Sequence, residues 1–413
     1  VKAHDFPGFP VELRYDYVHN LIGKEIGKDM IKNIVKSLEM QIVAEDDEKL
    51  NLVVPTYRVD VQRPCDVVED ILRVYGYNNV EFTNEVHSSL SNRGEVDFRD
   101  DMQELVSNQL TSRGFNEIMN NSLTAASNYT GLESLPEDHC VHLMNPLSSD
   151  LNVMRQTLLF GGLESIVRNV NHKNANLKFY EFGNVYEFNP AVDNTEVALA
   201  PYTEHNVLGM WLTGKNHEQS WVEKERAMSV YDLKADMENA LRRIGVDVCD
   251  LKQEQLTNEI FEAALTYTTR GGKLIAVIGE VDSDLLKKHD VDQPVSFAQV
   301  NWTEACRLAA KKDVKYADLA KTLPVRRDLA LLVDRTVTYA DIEKVVAQSE
   351  KHYLKGVKLF DVYEGKNLEA GKKSYAISIT LQDDNKTMQD KQIEAIMKKI
   401  VTNLEKQVGA KLR

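Results

Sequence analysis

The ten residues SYAISITLQD, at 374–383, most narrow what this chain can fold into. Tyr375, Ile377, Ile379 and Leu381 alternate with Ser374, Ala376, Ser378 and Thr380. A period of two puts the apolar set on one face of a β-strand, half buried. The flanking segments supply the cover. TYADIEKVVAQSEK (338–351) is expected as a helix opened by a capping box from Thr338 to Asp341. TMQDKQIEAIMKKIVTNLEKQVG (387–409) is expected as a second, opened by Thr387 and Asp390, with an apolar stripe of Ile393, Ile396, Ile400, Leu404 and Val408. VRRDLALLV (325–333) and GVKLFDVYEG (356–365) read as strands. The order is then β-α-β-β-α, with a short tail able to add a last strand. That order is ferredoxin-like, and such a fold hosts many functions.

With 413 residues, the chain has room for two to four domains. Near the start, GKDMIKNIVKSLEM (27–40) carries Met30, Ile31, Ile34, Val35 and Leu38 at helical spacing. KLNLVVPTYRVDV (49–61) follows as a strand ending near Pro55, then DVVEDILRVYGY (66–77) as a helix with Val67, Val68, Ile71, Leu72 and Tyr75 inward. NEVHSSLSNRGEVD (84–97) is polar and reads as a linker. The middle of the chain opens on a long helix, FRDDMQELVSNQLTSRGF (98–115), stopped by Gly114. Strand-like pieces follow: NEIMNNSL, VHLMNP, LKFYEFGNVYEF, NVLGMWLTG, KLIAVIGEV and SFAQVNW, with helices at 158–173 and 229–245. Many antiparallel strands with flanking helices imply an α+β domain. The aromatics Phe179, Tyr180, Phe182, Tyr186 and Phe188 alternate as in a buried hairpin and are expected to pack a core.

No apolar run approaches the roughly 20 residues of a membrane span, and no signal peptide is visible. The chain opens on Val1, as a fragment would. Cys65, Cys140, Cys249 and Cys306 show no CxxC spacing, so free thiols in a reducing cytosol are expected. The net charge of −14 argues against a general nucleic-acid binder, but it is unevenly spread. Lys311 to Arg413 holds 21 basic and 15 acidic residues, net +6, on a body of net −20. Such a module is either a local polyanion contact or a solvated surface.

DVQRPCDVVED (60–70) concentrates four carboxylates, Asp60, Asp66, Glu69 and Asp70. On a helix, Asp66, Glu69 and Asp70 share one face, and Asp60 can fold back toward the first turn. Oxygen donors in this pattern suit Mg²⁺; acids also favour helix N-termini for the dipole alone. In the basic module, Arg326 and Arg327 lie at one strand start and Lys372 and Lys373 at another. They are placed either to grip phosphates or as solvated strand ends. No GxxxxGK[ST], GxGxxG, HExxH or GxSxG occurs.

VVPTYRVDVQRPCDVVEDILRVYGYNNV resembles the B5 domain of the bacterial phenylalanyl-tRNA synthetase β subunit. MNPLSSDLNVMRQTLLFGGLESIVRNVN and KFYEFGNVYEF resemble that subunit's catalytic-like module. LPVRRDLALLV, VKLFDVYEGK, GKKSYAISITLQDDNKTM and the closing GAKLR resemble its ferredoxin-fold anticodon-binding domain. The resemblance implies a multidomain α+β chain: a winged-helix-like B5 domain over 10–85, a class II synthetase-like antiparallel sheet domain lacking its active site over 91–309, and a ferredoxin-like domain over 315–413. It also implies Mg²⁺ at Asp60, Asp66, Glu69 and Asp70, shared with an α subunit; the last position is usually Glu in the family. RNA contact falls to Arg326, Arg327, Lys372 and Lys373. The family's β subunit is longer, with amino-terminal domains that this chain lacks. Around GGKLIAVIGEV there is no GxGxxR to bind ATP, so activation of phenylalanine and its transfer to tRNA(Phe) would fall to α, in an (αβ)₂ cytoplasmic assembly. A stand-alone RNA- or protein-binding pseudo-synthetase, and a metal-dependent hydrolase, are the competing readings. The second lacks a nearby histidine or further acidic cluster to act as base.

Overall fold

A computed structural model describes residues 7–82, 88, 94–193, 195–311, 316, 318–365 and 368–413. The chain packs as two compact units, Val1–Phe98 and Arg99–Arg413. The expected boundaries at 85, 91 and 315, and most of the linker, lie outside the described residues.

The first unit runs β1 (Phe9–Arg14), α1 (Tyr15–Ile22), α2 (Lys28–Ser37), β2 (Gln41–Glu45), β3 (Lys49–Val54) and α3 (Pro64–Tyr75). The strands form an antiparallel sheet in the order β1-β3-β2. Leu13 and Leu50 of the sheet and Val18, Ile31, Val67 and Ile71 of the helices are wholly buried together. This is a helical bundle with a small sheet as its wing. Met30, expected inside, is 50% exposed: it sits in the first turn of α2, at the edge of the apolar stripe.

Helix α4 (Glu95–Ser112) starts just before the boundary, and most of it belongs to the second unit. Gly114, at φ +86, turns the chain after it. There follow β4 (Asn116–Glu117), β5 (Leu123–Thr124), β6 (Val141–His142), β7 (Val153–Met154), α5 (Leu159–Asn171), β8 (Leu177–Phe188) and β9 (Tyr202–Thr213). A hairpin, β10 (Lys215–His217) and β11 (Arg226–Ala227), leads to α6 (Val230–Arg243). Then come β12 (Lys252–Leu256), β13 (Phe261–Thr268), β14 (Leu274–Val281), α7 (Ser283–Lys288), β15 (Val295–Asn301) and α8 (Trp302–Ala309). Seven strands join in the order β12-β13-β14-β15-β9-β8-β4, antiparallel except for the β4–β8 pair. Helix α5 packs against Trp211 of β9 at Gly162, where a Cβ would lie 2.1 Å from the indole; only glycine permits that approach.

The aromatic run of β8 is one arm of the expected hairpin, the other being β9. Its rings pack a core: Phe179 and Tyr180 are buried, and Phe182 meets Trp302 edge-on at 4.9 Å. NEIMNNSL and VHLMNP shrink to two-residue strands. In the first, Asn121 Oδ1 accepts the Leu123 N–H at 3.0 Å, a local bond that competes with a ladder. Strands β12 and β13 and helices α7 and α8 were not anticipated from the sequence; nor were β1 and α1 in the first unit.

The chain ends with β16 (Val325–Asp334), α9 (Tyr339–Ser349), β17 (Leu354–Tyr363), β18 (Lys372–Leu381), α10 (Asp390–Val408) and β19 (Lys411–Leu412). The antiparallel order β17-β18-β16-β19 is the ferredoxin-like one, with the tail as last strand. Ile377 and Ile379 of β18 are fully buried beneath Ile342 of α9 and Ile400 of α10. Thr338 and Asp341 exchange the expected capping bonds, at 2.9 and 3.2 Å. The second expected box is absent. Helix α10 begins at Asp390 with Gln389 as its cap and no side-chain cap bond. Met388 is buried, 7% exposed, while Thr387 and Gln389 on either side of it are exposed, so the chain enters the helix with only the Met388 side chain in the core.

Candidate functional site

Three places carry the chemistry. The first follows β3. Pro55 ends the strand, and two successive turns meet at Arg58: its N–H donates to Pro55 O at 3.0 Å, and its C=O accepts from Val61 N at 3.2 Å. Asp60 is exposed in the second turn, while Val61 is buried. Helix α3 then starts with Arg63 as N-cap and Pro64 at its first position, where proline's missing N–H costs nothing. Asp66, three residues on, accepts from the Arg63 N–H at 2.9 Å and from the Arg63 guanidinium at 3.0 Å. The guanidinium, and next the backbone N–H, hold its carboxyl well below the usual carboxylate range. Glu69 is exposed one turn later. Asp70 is 3% exposed. Its Oδ2 receives Arg58 Nη2 at 2.5 Å, and its Oδ1 receives Arg73 Nη2 at 3.2 Å.

The donor chemistry of Asp60, Asp66 and Glu69 suits a hard cation. Among the described residues, however, no three His, Cys, Asp or Glu side chains gather closely enough to hold one. Further donors would have to complete the set. Asp70 fits least, since two guanidiniums already flank it.

The second place is the face of the seven-stranded sheet formed by β8, β9, β14 and β15. It floors a cavity of 480 Å³ lined by apolar Leu135, Val185, Val207 and Ile275 and by Glu133 and Glu187. No Lys or Arg is among the described residues lining it. Arg155 of the neighbouring segment is buried, its Nη1 2.7 Å from Glu181 and its Nε donating to Asn184 O at 3.0 Å. That cation is neutralised inside the sheet.

The third place is the sheet of β16–β19. Antiparallel pairing sets Asp334 opposite Lys372 and Val325 opposite Leu381. Arg326 and Arg327 therefore lie at one end of the β16–β18 ladder and Lys372 and Lys373 at the other, roughly 20–27 Å apart at about 3.4 Å per residue. The four do not form one patch. Arg326 lies on the face away from α9 and α10, bonded to Ser378 Oγ at 2.5 Å and Asp328 at 3.2 Å. Arg327 points to the helix side, 4.0 Å from Asp390. Lys372 pairs with Asp334 at 2.7 Å. Lys373 is 9% exposed, its Nζ 4.8 Å over the Tyr375 ring, and cannot reach solvent phosphates without leaving it.

Two contacts on this sheet were missed from the sequence. Arg326 lies 6.0 Å over Phe360, and Arg413 lies 5.5 Å over Tyr363. Phe360 is 50% exposed. Beside them the strand floor is small: Ser374, Ala376, Ser378 and Ala330. Ser374 and Ser378, expected outside, are buried, Ser378 by its bond to Arg326. The signal available was the cluster of aromatics in LFDVY, which a register shift between Leu359 and Asp361 takes out of simple alternation.

Compared with protein families, residues 11–77 match the tRNA synthetase B5 domain, 83–302 the phenylalanyl tRNA synthetase beta chain CLM domain, and 320–413 the ferredoxin-fold anticodon binding domain. The chain belongs to the phenylalanyl-tRNA synthetase β-chain family. Phenylalanine–tRNA ligase beta subunits of Bacteroides fragilis and Porphyromonas gingivalis are 54% and 46% identical to it over 98% of its length. That of Clostridium acetobutylicum is 31% identical, again over 98%. The chain spans about half the length of these curated relatives, 48–49%. The three matches follow one another along the sequence, and one of the three places falls within each.

Proposed function

We propose that the chain is the carboxy-terminal part of the β subunit of a cytoplasmic phenylalanine–tRNA ligase, where it braces the α subunit in an (αβ)₂ assembly and holds tRNA(Phe). The observation that carries this is the absence of any lysine or arginine from the described lining of the central cavity, where Glu187 meets only His139, at 3.1 Å. A triphosphate placed there would meet Glu133 and Glu187 with no Arg or Lys to balance it. Use of ATP and transfer of phenylalanine therefore belong to α. The terminal sheet supplies what the central one lacks. Phe360 and Tyr363 offer rings on which unpaired bases stack, and Arg326 and Arg413, already resting on those rings, turn to phosphate.

Magnesium, when bound, would neutralise acidic groups where the two subunits meet. Asp60, Asp66 and Glu69 would supply this chain's donors, with α completing the set. No helix of the described residues is long and apolar enough to cross a membrane.

The experiment is to mix the chain with α subunit and follow assembly by light scattering, with and without Mg²⁺. A particle holding both chains, weaker after chelation, is the expected result. Two chains that stay separate would favour a free-standing scaffold.

A further inference from the structure

We propose that the cleft between the central sheet and the terminal module binds a small aliphatic carboxylate, its chain on an apolar floor and its head group on a rim of lysines. Both walls belong to the second unit. One wall is the single helical turn Val248–Asp250 and the start of β12. The other is the outer face of α9 and the start of β17. Between them lies a cavity of 600 Å³. Small-molecule sites fall within roughly 300–1,000 Å³ and favour junctions of this kind.

Helix α9 explains why a cleft remains there. It buries Ile342, Val345 and Val346 in the core of the terminal module. Ala340, Glu343, Lys344, Ala347 and Lys351 line the cleft at three- and four-residue spacing, and so form a second stripe on the same helix. The apolar members of that stripe are alanines, both exposed. Side chains so short leave a gap to Val248 and Leu251 on the facing wall, and Leu354 and Val357 of β17 complete the floor. No aromatic ring is among the described residues lining the cleft. A nucleic-acid base would therefore find nothing to stack on, whereas an aliphatic chain matches the surface.

Charge selects the head group. Lys344, Lys351 and Lys355 line the cleft against one carboxylate, Glu343. Lys355 is paired with Asp384 at 2.7 Å, and Lys344 stands near Asp341. Lys351 makes no ion pair among the described residues. Glu343 is half-buried beside Lys234 of α6, so part of its charge is already answered. The rim left to a ligand is positive and favours an anion. Arg326 and Phe360 lie on the other face of the terminal sheet. The site is thus separate from the surface proposed for tRNA, and its failure would leave that reading intact.

The test uses the full chain with decanoate as probe, followed by titration calorimetry. Decylamine, protonated at neutral pH, has the same tail and the opposite charge. Decanoate should bind at one site and decylamine about tenfold more weakly or worse. Ala347→Trp fills the cleft from an exposed position and should abolish decanoate binding while leaving the melting temperature nearly unchanged. Lys344→Glu with Lys351→Glu should weaken decanoate about tenfold or more; Lys391→Glu, on α10, should not. Cys249 reports the location, since it lines the cleft and is exposed whereas Cys140 and Cys306 are buried. Decanoate should slow its alkylation by a maleimide, read on the Cys249 peptide by mass spectrometry. Decanoate binding that survives Ala347→Trp, unchanged alkylation of Cys249, or equal affinity for decylamine would overturn the proposal. So would a wild-type chain that takes up no decanoate; if light scattering then shows a dimer that Ala347→Trp breaks, the occupant is a second copy of the chain.

Discussion

The central and terminal sheets differ in where they hold their charge. The terminal sheet carries α9 and α10 on one face and leaves the other open, whereas the central sheet is covered on both, by α5 on the Trp211 face and by α8 on the Phe182 face, and keeps a cavity at Val185 and Val207. On the central sheet the cavity's described lining has two carboxylates and no lysine or arginine, and Arg155, next in sequence to the lining residue Gln156, is buried against Glu181. On the terminal sheet the open face holds Arg326 and Arg413 stacked on Phe360 and Tyr363, within reach of solvent. On the proposed reading, the location of the charge, more than sheet topology, separates a brace from a binding platform. An arginine inside the fold stabilises it; an arginine resting on a half-exposed ring remains available to a ligand.

The largest effect should come from the central sheet. Arg155→Met leaves Glu181, 1% exposed, without its cation. Breaking such a pair typically costs about 3–5 kcal/mol. Denaturant unfolding should show it. The matching change on the terminal sheet, Asp328→Asn, removes a pair whose side chains are more than half exposed; it should shift stability by less than about 1 kcal/mol. Equal losses would erase the distinction drawn between the two sheets.

The next effect belongs to the terminal sheet and should leave stability nearly alone. Phe360→Ala and Tyr363→Ala are each expected to weaken tRNA binding by the assembled enzyme by about 1–3 kcal/mol if each ring stacks one base. Arg326→Ala should lower the salt slope of that binding by about 0.7–0.9. Arg327→Ala, on the helix side beside Asp390, should not. Parallel slopes for all four proteins would move the RNA contact elsewhere.

The smallest effect compares two capping boxes. Asp232, at the start of α6, accepts from Arg226 and from the Ser229 N–H at 2.9 Å. The guanidinium lowers its pKa from 3.8 to about 2. A folded-state pKa below the unfolded one stabilises the fold above the unfolded value, and the gain fades as pH falls through the folded value. Asp232→Asn should therefore flatten the stability profile between about pH 4 and pH 2. Asp341, in the terminal module's box, is also lowered, there by the Thr338 hydroxyl and N–H with no arginine. Asp341→Asn should flatten the profile less.

Much of the terminal module was legible because β18 has a period of two and its helices carry unbroken apolar stripes. What the pattern could not reveal was the far face. Ser378 is buried by Arg326, 52 positions away in sequence, and Lys373 by lying over Tyr375. The acidic stretch shows the same limit. Helical spacing correctly put Asp66, Glu69 and Asp70 on one helix, but the environment of Asp70 is set by Arg58, twelve residues earlier and across a turn. Periodicity reports which face a residue occupies; it does not report which distant charge comes to meet it. The central sheet was harder still. Strand β12 is almost wholly exposed, so no apolar alternation marked it, and β4 to β7 have two residues each.

The claim that the central sheet is a brace is tested most directly by phenylalanine-dependent ATP–pyrophosphate exchange. The purified chain alone should give no exchange above background, and activity should appear when α subunit is added. Exchange by the chain alone would place adenylate chemistry on this sheet and contradict the division of labour between the two.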